Sequence, residues 1–472
     1  MEEFIIGKLT GINKMDLHFL DKIKSKLDDY NLFWTINIQE NEATSINSYN
    51  EHIESVDYIN NYGVSVSLND FNRKSFIVNT IDESFDINQF VKKIERDAEK
   101  SNSIDIDNYD VNTTQKSFKS DYSINPKDIS FEEKKDLALN TTKSIDDYNS
   151  RFYYSEIFSK KRILNSYGTD TESENVRSLI DLSLNKRDKN NNLQKYNARR
   201  AYNCGYEITN SLTDIEKEAK KGLNDLLVAD PIKGGKYNVV MDGNLTGVFM
   251  HEAMGHASEA DLVLAGDSCL SDSLNKKIAP THINLHDSSK PKGLWGSYPV
   301  DDDGFLATDS KIIDNGVMKT YISNLDSKVR LKDKYNINTN LTSNSRRQNY
   351  SHPTRVRMSN TYLDLGDFSK DELIEEIKDG FYLKGSSGGQ VDTSKGTFQF
   401  STDYGYLIRN GKIIKPVKNI SFGGETLKVL NNIKKIGNKY EQGMAGFCGK
   451  SGQSVPVGGN NPSVLVNDML IG

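Results

Sequence analysis

The chain has 472 residues, more than one hydrophobic core usually supports, so at least two domains are expected. Hydrophobic residues make up 36% and the net charge is -6, with acids and bases intermixed. No basic stripe is present, which argues against direct nucleic-acid binding by counterion release, and no apolar run approaches the ~18 residues of a membrane helix. Cys204, Cys269 and Cys448 are too few and too scattered for a disulfide framework. Together with an acidic start, MEEFIIGKLTG, that lacks an apolar signal-peptide core, they point to the cytoplasm.

In chain order, residues 15–30 have the spacing of an amphipathic helix, with Leu17, Phe19, Leu20, Ile23 and Leu27 on one side. FWTINIQ (33–39) and YGVSVSL (62–68) alternate as strands do. Residues 101–127 are polar and weakly patterned, as in a linker or surface excursion. DIDNYD (105–110) within them lacks the glycine and terminal glutamate of a calcium loop. A second helix is expected over 129–148. It ends in IDDYN (145–149) where the first ended in LDDYN (27–31), and aromatic strand residues follow both, which suggests a duplicated helix–strand unit. GGKYNVVMDG (234–243) is a predicted strand. Asn-Gly pairs at 315–316 and 410–411 sit between apolar runs and predict hairpins, because both turn residues need positive φ. GSSGGQVDTSKGTFQF (385–400) does not match a phosphate-binding loop and is expected to form tight turns leading into strand. The expected fold class is α+β, with an N-terminal α/β domain over 1–228 and a β-rich C-terminal domain over 229–472.

Early in the C-terminal domain lies FMHEAMGHASEAD (249–261), with His251, Glu252 and His256 inside six residues. As a helix over 247–264, this stretch would bury Phe249, Ala253, Ala257, Ala260 and Leu264 and turn Glu252, His256 and Glu259 to the other side. His251 and His256 would then stand roughly 140° apart, too far to share an ion. Two arrangements resolve this. A π-type turn brings positions i and i+5 into line, with Gly255 easing the distortion; otherwise Glu252 and His256 are the ligands. The plain alternative is two partly exposed histidines on a surface helix. A metal would need a third ligand, for which Cys448, Cys269, His282, His286, His352 and Glu259 are available. Cys448 lies among glycines in GMAGFCGKSGQSVPVGG (443–459), where backbone can approach an ion closely.

The ordered stretches HEAMGHASEAD (251–261), WGSYPVDDDGF (295–305), IIDNGVMKTYI (312–322), SNSRRQNYSHPTRVRMSNTYL (343–363), GGQVDTSKGTFQF (388–400) and CGKSGQSVPVG (448–458) resemble the TldD/PmbA metallopeptidases, in the TldD branch. They cover nearly all of the C-terminal half; the N-terminal half matches more diffusely. The resemblance implies a two-domain fold and a zinc ion held by His251, His256 and Cys448, with Glu252 as general base. It also implies a homodimer, or a heterodimer with a PmbA/TldE-like chain, enclosing a chamber. Implied substrates are short or unfolded peptides of the toxin, antitoxin or bacteriocin-precursor type. A non-catalytic regulatory or binding protein of the same family, of the gyrase-modulator kind, is the alternative. Glu259 and Asp261 are either partners of the ligand histidines or ordinary solvated acids. Asp301, Asp302 and Asp303 are expected in a solvated turn, and Arg346 and Arg347 are candidates to hold a peptide carboxylate.

Overall fold

The computed structural model describes residues 12–105 and 109–472, and side chains from Phe19 onward. The first eleven residues, the side chain of Leu17 and the middle of DIDNYD lie outside the described residues. Strands β1 (Phe33–Tyr49), β2 (His52–Asn69), β3 (Lys74–Thr80), β4 (Asn149–Asn165), β5 (Asp170–Arg187) and β6 (Leu193–Tyr202) form an antiparallel sheet in the order β3-β2-β1-β4-β5-β6. β1 and β4 meet at its centre, from Thr35↔Asn165 to Tyr49↔Arg151. Each is preceded by a helix, Ile12–Leu27 or Phe131–Lys143. Each set of three strands is followed by another helix, Ile87–Ala98 or Leu212–Val228. The repeat is therefore larger than a helix–strand pair: helix, three strands and helix occur twice, arranged about the β1–β4 seam. Asp28, Asp29 and Tyr30 occupy the turn after the first helix, as Asp146, Asp147 and Tyr148 do after Phe131–Lys143.

Side-chain alternation decides what covers each face of this sheet. Trp34, Ile36, Ile38, Val64, Val66 and Leu68 bury against Leu20, Ile23 and Leu27 of the first helix and against Phe90 and Ile94 of Ile87–Ala98. Farther along the same face, Phe152, Tyr154, Ile180, Leu182 and Leu184 pack on Ala138, Ile215, Ala219 and Leu223. The opposite face is polar. Thr35, Asn37, Gln39, Ser65 and Ser159 are buried there, and Lys161 reaches Asp302 at 2.7 Å.

Residues 230–471 build a second, larger sheet. Gly235–Met241 lies inside it, antiparallel to Val464–Ile471 and parallel to Asp379–Lys384. The two Asn-Gly hairpins form, with φ of 50° and 78° at Asn315 and Gly316 and 47° and 74° at Asn410 and Gly411. Asp301, Asp302 and Asp303 are not a solvated turn; all are buried, the first with its carboxylate accepting from the backbone N–H groups of Asp303, Phe305 and Ser345. Their burial follows from contact with the polar face of the first sheet, which local sequence does not encode. Among the described residues no helix is long and apolar enough to cross a membrane.

Candidate metal centre

The strand Gly235–Met241 ends at Asp242, whose side chain caps the next helix by accepting from the Leu245 backbone N–H. That helix runs as α over Gly243–Phe249 and then widens into a π turn over Met250–Gly255, with the His256 N–H donating to the His251 carbonyl. The extra residue per turn moves His256 round to the side of His251. Their rings stand 5.2 Å apart and nearly perpendicular. Gly255 itself keeps ordinary helical angles. Its lack of a side chain serves packing instead, since a Cβ there would collide with Met358 Sδ. The expected single helix over 247–264 is also broken: Glu259 is extended (φ -70°, ψ 121°) and a new helix begins at Ala260. The break turns Glu259 inward, where it is fully buried, rather than outward with Glu252.

The third donor comes from the hairpin Glu441–Lys450/Gln453–Asn461, in which Cys448 pairs with Val455. Cys448 Sγ lies 3.3 Å from His256 Nε2, and donor atoms of His251, His256 and Cys448 lie within 4.8 Å of one another. His251 is 1% exposed, yet neither of its ring nitrogens has a hydrogen-bond partner. Buried polar atoms are rarely left so; two imidazoles and a thiolate at this spacing fit a metal ion. The other proposed third ligands lie elsewhere. His282 Nε2 bonds the Ile433 carbonyl, His286 sits between Asp309 and Asp364, His352 Nδ1 bonds Asn349, and Cys269 packs beside Gly396.

Glu259 Oε2 accepts from His256 Nδ1 at 2.9 Å, which leaves Nε2 facing the donor cluster. Lys450 bonds Glu259 at 3.0 Å and both oxygens of Asp261 at 2.8 Å. The sequence reading did not include Lys450, although its spacing from Cys448 puts both side chains on one face of the strand. Arg357, also missed, is wholly buried and donates to the carbonyls of Cys448 and Gln453, tying the hairpin down. Nothing in its neighbourhood of the sequence marks it. Burial opposes charge on His256, but Glu259 and Cys448 outweigh it and hold the imidazole well above its usual range. Burial likewise pushes the Cys448 thiol up, and His251 and His256 bring it down to about 4. The two opposite shifts describe a thiolate paired with an imidazolium, and a bound metal would take the place of the imidazolium proton. Glu252 is 35% exposed, with its carboxylate 3.7 Å from His256 Nε2. Arg346 and Arg347 are not at this centre; they are buried beneath the polar face of the first sheet.

A two-domain-sized α+β chain with this donor set beside a solvent-facing carboxylate has the makings of a metal-dependent hydrolase. Comparison with known proteins agrees. Residues 234–472 match the PmbA/TldA metallopeptidase C-terminal domain and residues 124–228 the central domain of the same family. A metalloprotease of Methanocaldococcus jannaschii is 36% identical over 93% of this chain and 96% of its own. A zinc metalloprotease TldD homolog of Saccharolobus solfataricus is 36% identical over 57% of each. A Thermotoga maritima structure, described as a candidate modulator of a DNA gyrase, has a TM-score of 0.78 at 20% identity, covering 96% of this chain and 99% of that one. The chain belongs to the PmbA/TldD metallopeptidase family, and it is a metallopeptidase.

Proposed function

We propose that the protein is a zinc peptidase acting on short or unfolded peptides, with His251, His256 and Cys448 as ligands and Glu252 as general base. The observation that carries this reading is the π turn, which gathers both histidines at a buried thiolate and leaves Glu252 beside them, open to solvent. Zinc is favoured by the nitrogen and sulfur donors and by the name of the Saccharolobus solfataricus relative. When bound, zinc acidifies a water molecule and polarises the scissile carbonyl. Glu252 takes the proton of the attacking water and passes it to the departing amine. Glu259 holds the ring of His256 in orientation, and Lys450 holds Glu259. An extended peptide would be held through main-chain hydrogen bonds, so selection would favour unfolded chains of the toxin, antitoxin or bacteriocin-precursor type. The working form is a cytoplasmic dimer, of two copies or with a PmbA/TldE-like chain, that encloses the centre.

Glu252→Gln tests the assignment. It preserves size and removes the base, so peptide cleavage should fall ~10²–10⁴-fold with zinc retained. Loss of zinc in that variant would make Glu252 a ligand, and retained activity would sink both roles.

A further inference from the structure

Behind the hairpin that carries Cys448 lies a cavity of about 270 Å³. Strand alternation divides the hairpin between two sites: Cys448 and Lys450 face the metal centre, whereas Phe447, Ser454 and Pro456 line the cavity. The facing wall is the polar side of the first sheet, with Gln39, Asn175, Lys161 and Arg177, and the floor is made by Asp301, Asp302, Arg346 and Arg347.

The charges in this cavity do not balance. Lys161 pairs with Asp302 at 2.7 Å, and Arg347 donates its guanidinium to the Asp302 carbonyl and its backbone N–H to the Asp302 carboxylate. The Asp301 carboxylate is taken up by backbone N–H groups. Arg177 donates only to the carbonyls of Trp295 and Ser297, at 3.0 and 2.9 Å. Arg346 donates to the Met358 carbonyl and lies over the Tyr298 ring. Asp302 and Asp287 act on Arg346 only through space; Asp302 is already paired with Lys161, and Asp287 is engaged by Asn344, Ser359 and Thr361. Among the described residues neither arginine has a carboxylate within ion-pair distance. Burial and the neighbouring Arg346 push Arg177 down to about 9. Gln39 Oε1 and Arg347 Nε, on residues 2% and 3% exposed, have no hydrogen-bond partner, nor does Asn175 Oδ1.

Desolvated cations without counter-ions are unfavourable, and an incoming oxyanion removes that cost. The planar fork of arginine suits a carboxylate. The unpartnered acceptors on Gln39 and Asn175 call for hydrogen-bond donors beside the anion, and a peptide supplies them as main-chain N–H groups adjoining its terminal carboxylate. We propose that the cavity is a binding site for the C-terminal carboxylate of a peptide, with Arg177 and Arg346 holding the carboxylate and Gln39 and Asn175 accepting from the adjoining main-chain N–H groups. The site is distinct from the metal centre and stands whether or not Glu252 is the base.

The test is calorimetric titration of the purified full-length protein with acetyl-alanyl-alanine, its C-terminal amide and inorganic phosphate. The free acid should bind, with the amide and phosphate each at least tenfold weaker. Arg177→Gln should weaken the acid at least tenfold while leaving zinc content and the thermal transition unchanged. Binding should persist in Cys448→Ser, which separates the cavity from the metal. No binding of the acid, equal binding of acid and amide, or indifference to Arg177→Gln would overturn the proposal. Loss of binding in Cys448→Ser, or phosphate binding as tightly as the acid, would overturn it too. If Arg177→Gln does not fold, the acid–amide comparison on the unaltered protein decides alone, with Arg177→Lys, which keeps the charge but not the fork, as the substitute variant.

Discussion

Cys448 and Lys450 stand two positions apart on one strand and divide the electrostatic work of the centre. The thiolate faces the two imidazoles, and the ammonium neutralises Glu259 and Asp261 behind them. Replacing Cys448 with Ser removes the thiolate but keeps the size. A hydroxyl is not deprotonated at neutral pH and is a far weaker zinc donor, so zinc content should fall well below one per chain while the fold persists. Metal analysis beside a thermal scan checks this; full zinc in the folded variant would take Cys448 out of the ligand set. At this scale the sequence was partly legible. The histidines and Glu252 could be read from their spacing, and Cys448 from resemblance. Lys450 and Arg357 could not, because their roles exist only where the hairpin meets the 250s and the 350s.

The decisive element is the π turn over Met250–Gly255. An α-helix over the same residues would separate His251 from His256, so five-residue spacing and π geometry require each other. Gly255 lets Met358 pack against the turn. Gly255→Ala should therefore destabilise by about 1–3 kcal/mol, the usual result of overpacking a tight core, and Met358→Ala in the same chain should recover part of the loss. The comparison is of unfolding midpoints for the single and double variants; an unchanged midpoint in Gly255→Ala would show that Met358 moves aside freely. The break at Glu259 was not legible because Glu259, Ala260 and Asp261 carry no helix-stopping residue. The break is instead supported from outside: Ala260 N–H bonds the Ile322 carbonyl, and Glu259 meets Lys450 from the hairpin.

On the scale of the whole molecule, the two sheets share buried polar contacts and a common core around the helix Leu212–Val228. Asp403, in the bend between strands Thr397–Ser401 and Tyr404–Arg409 of the larger sheet, lies near Glu218 of that helix and near Asp242, the cap of the metal-site helix. Burial, with these two acids, raises its carboxyl from 3.8 to about 7. A group whose folded value is raised binds its proton more tightly in the native state, so its contribution is complete below about pH 4 and is lost as pH rises through about 7. Stability should fall from pH 5 to pH 8, and Asp403→Asn, which cannot ionise, should flatten that fall by on the order of 1–3 kcal/mol. Unfolding midpoints of both proteins at the two pH values measure it; an identical slope would mean that Asp403 is solvated in the native protein.

The sequence by itself determined the elements whose cause is local. The strands β1 and β2 follow from alternation and the Asn-Gly hairpins from the positive φ both residues tolerate; the matched turns after two helices suggested a duplicated helix–strand unit, and the larger repeat about the β1–β4 seam emerged only from the structure. It also determined that His251 and His256 could share an ion only through a distorted helix. Tertiary structure alone decided which cysteine reaches them, since Cys448 is almost two hundred positions away and its approach depends on a hairpin packed over the helix. It likewise decided that Asp301, Asp302 and Asp303, which read as a solvated turn, and Arg346 and Arg347, which read as candidates to hold a peptide carboxylate, lie buried between the sheets. Charged residues carry no local mark of burial, because what makes their burial tolerable is a partner contributed by a distant strand.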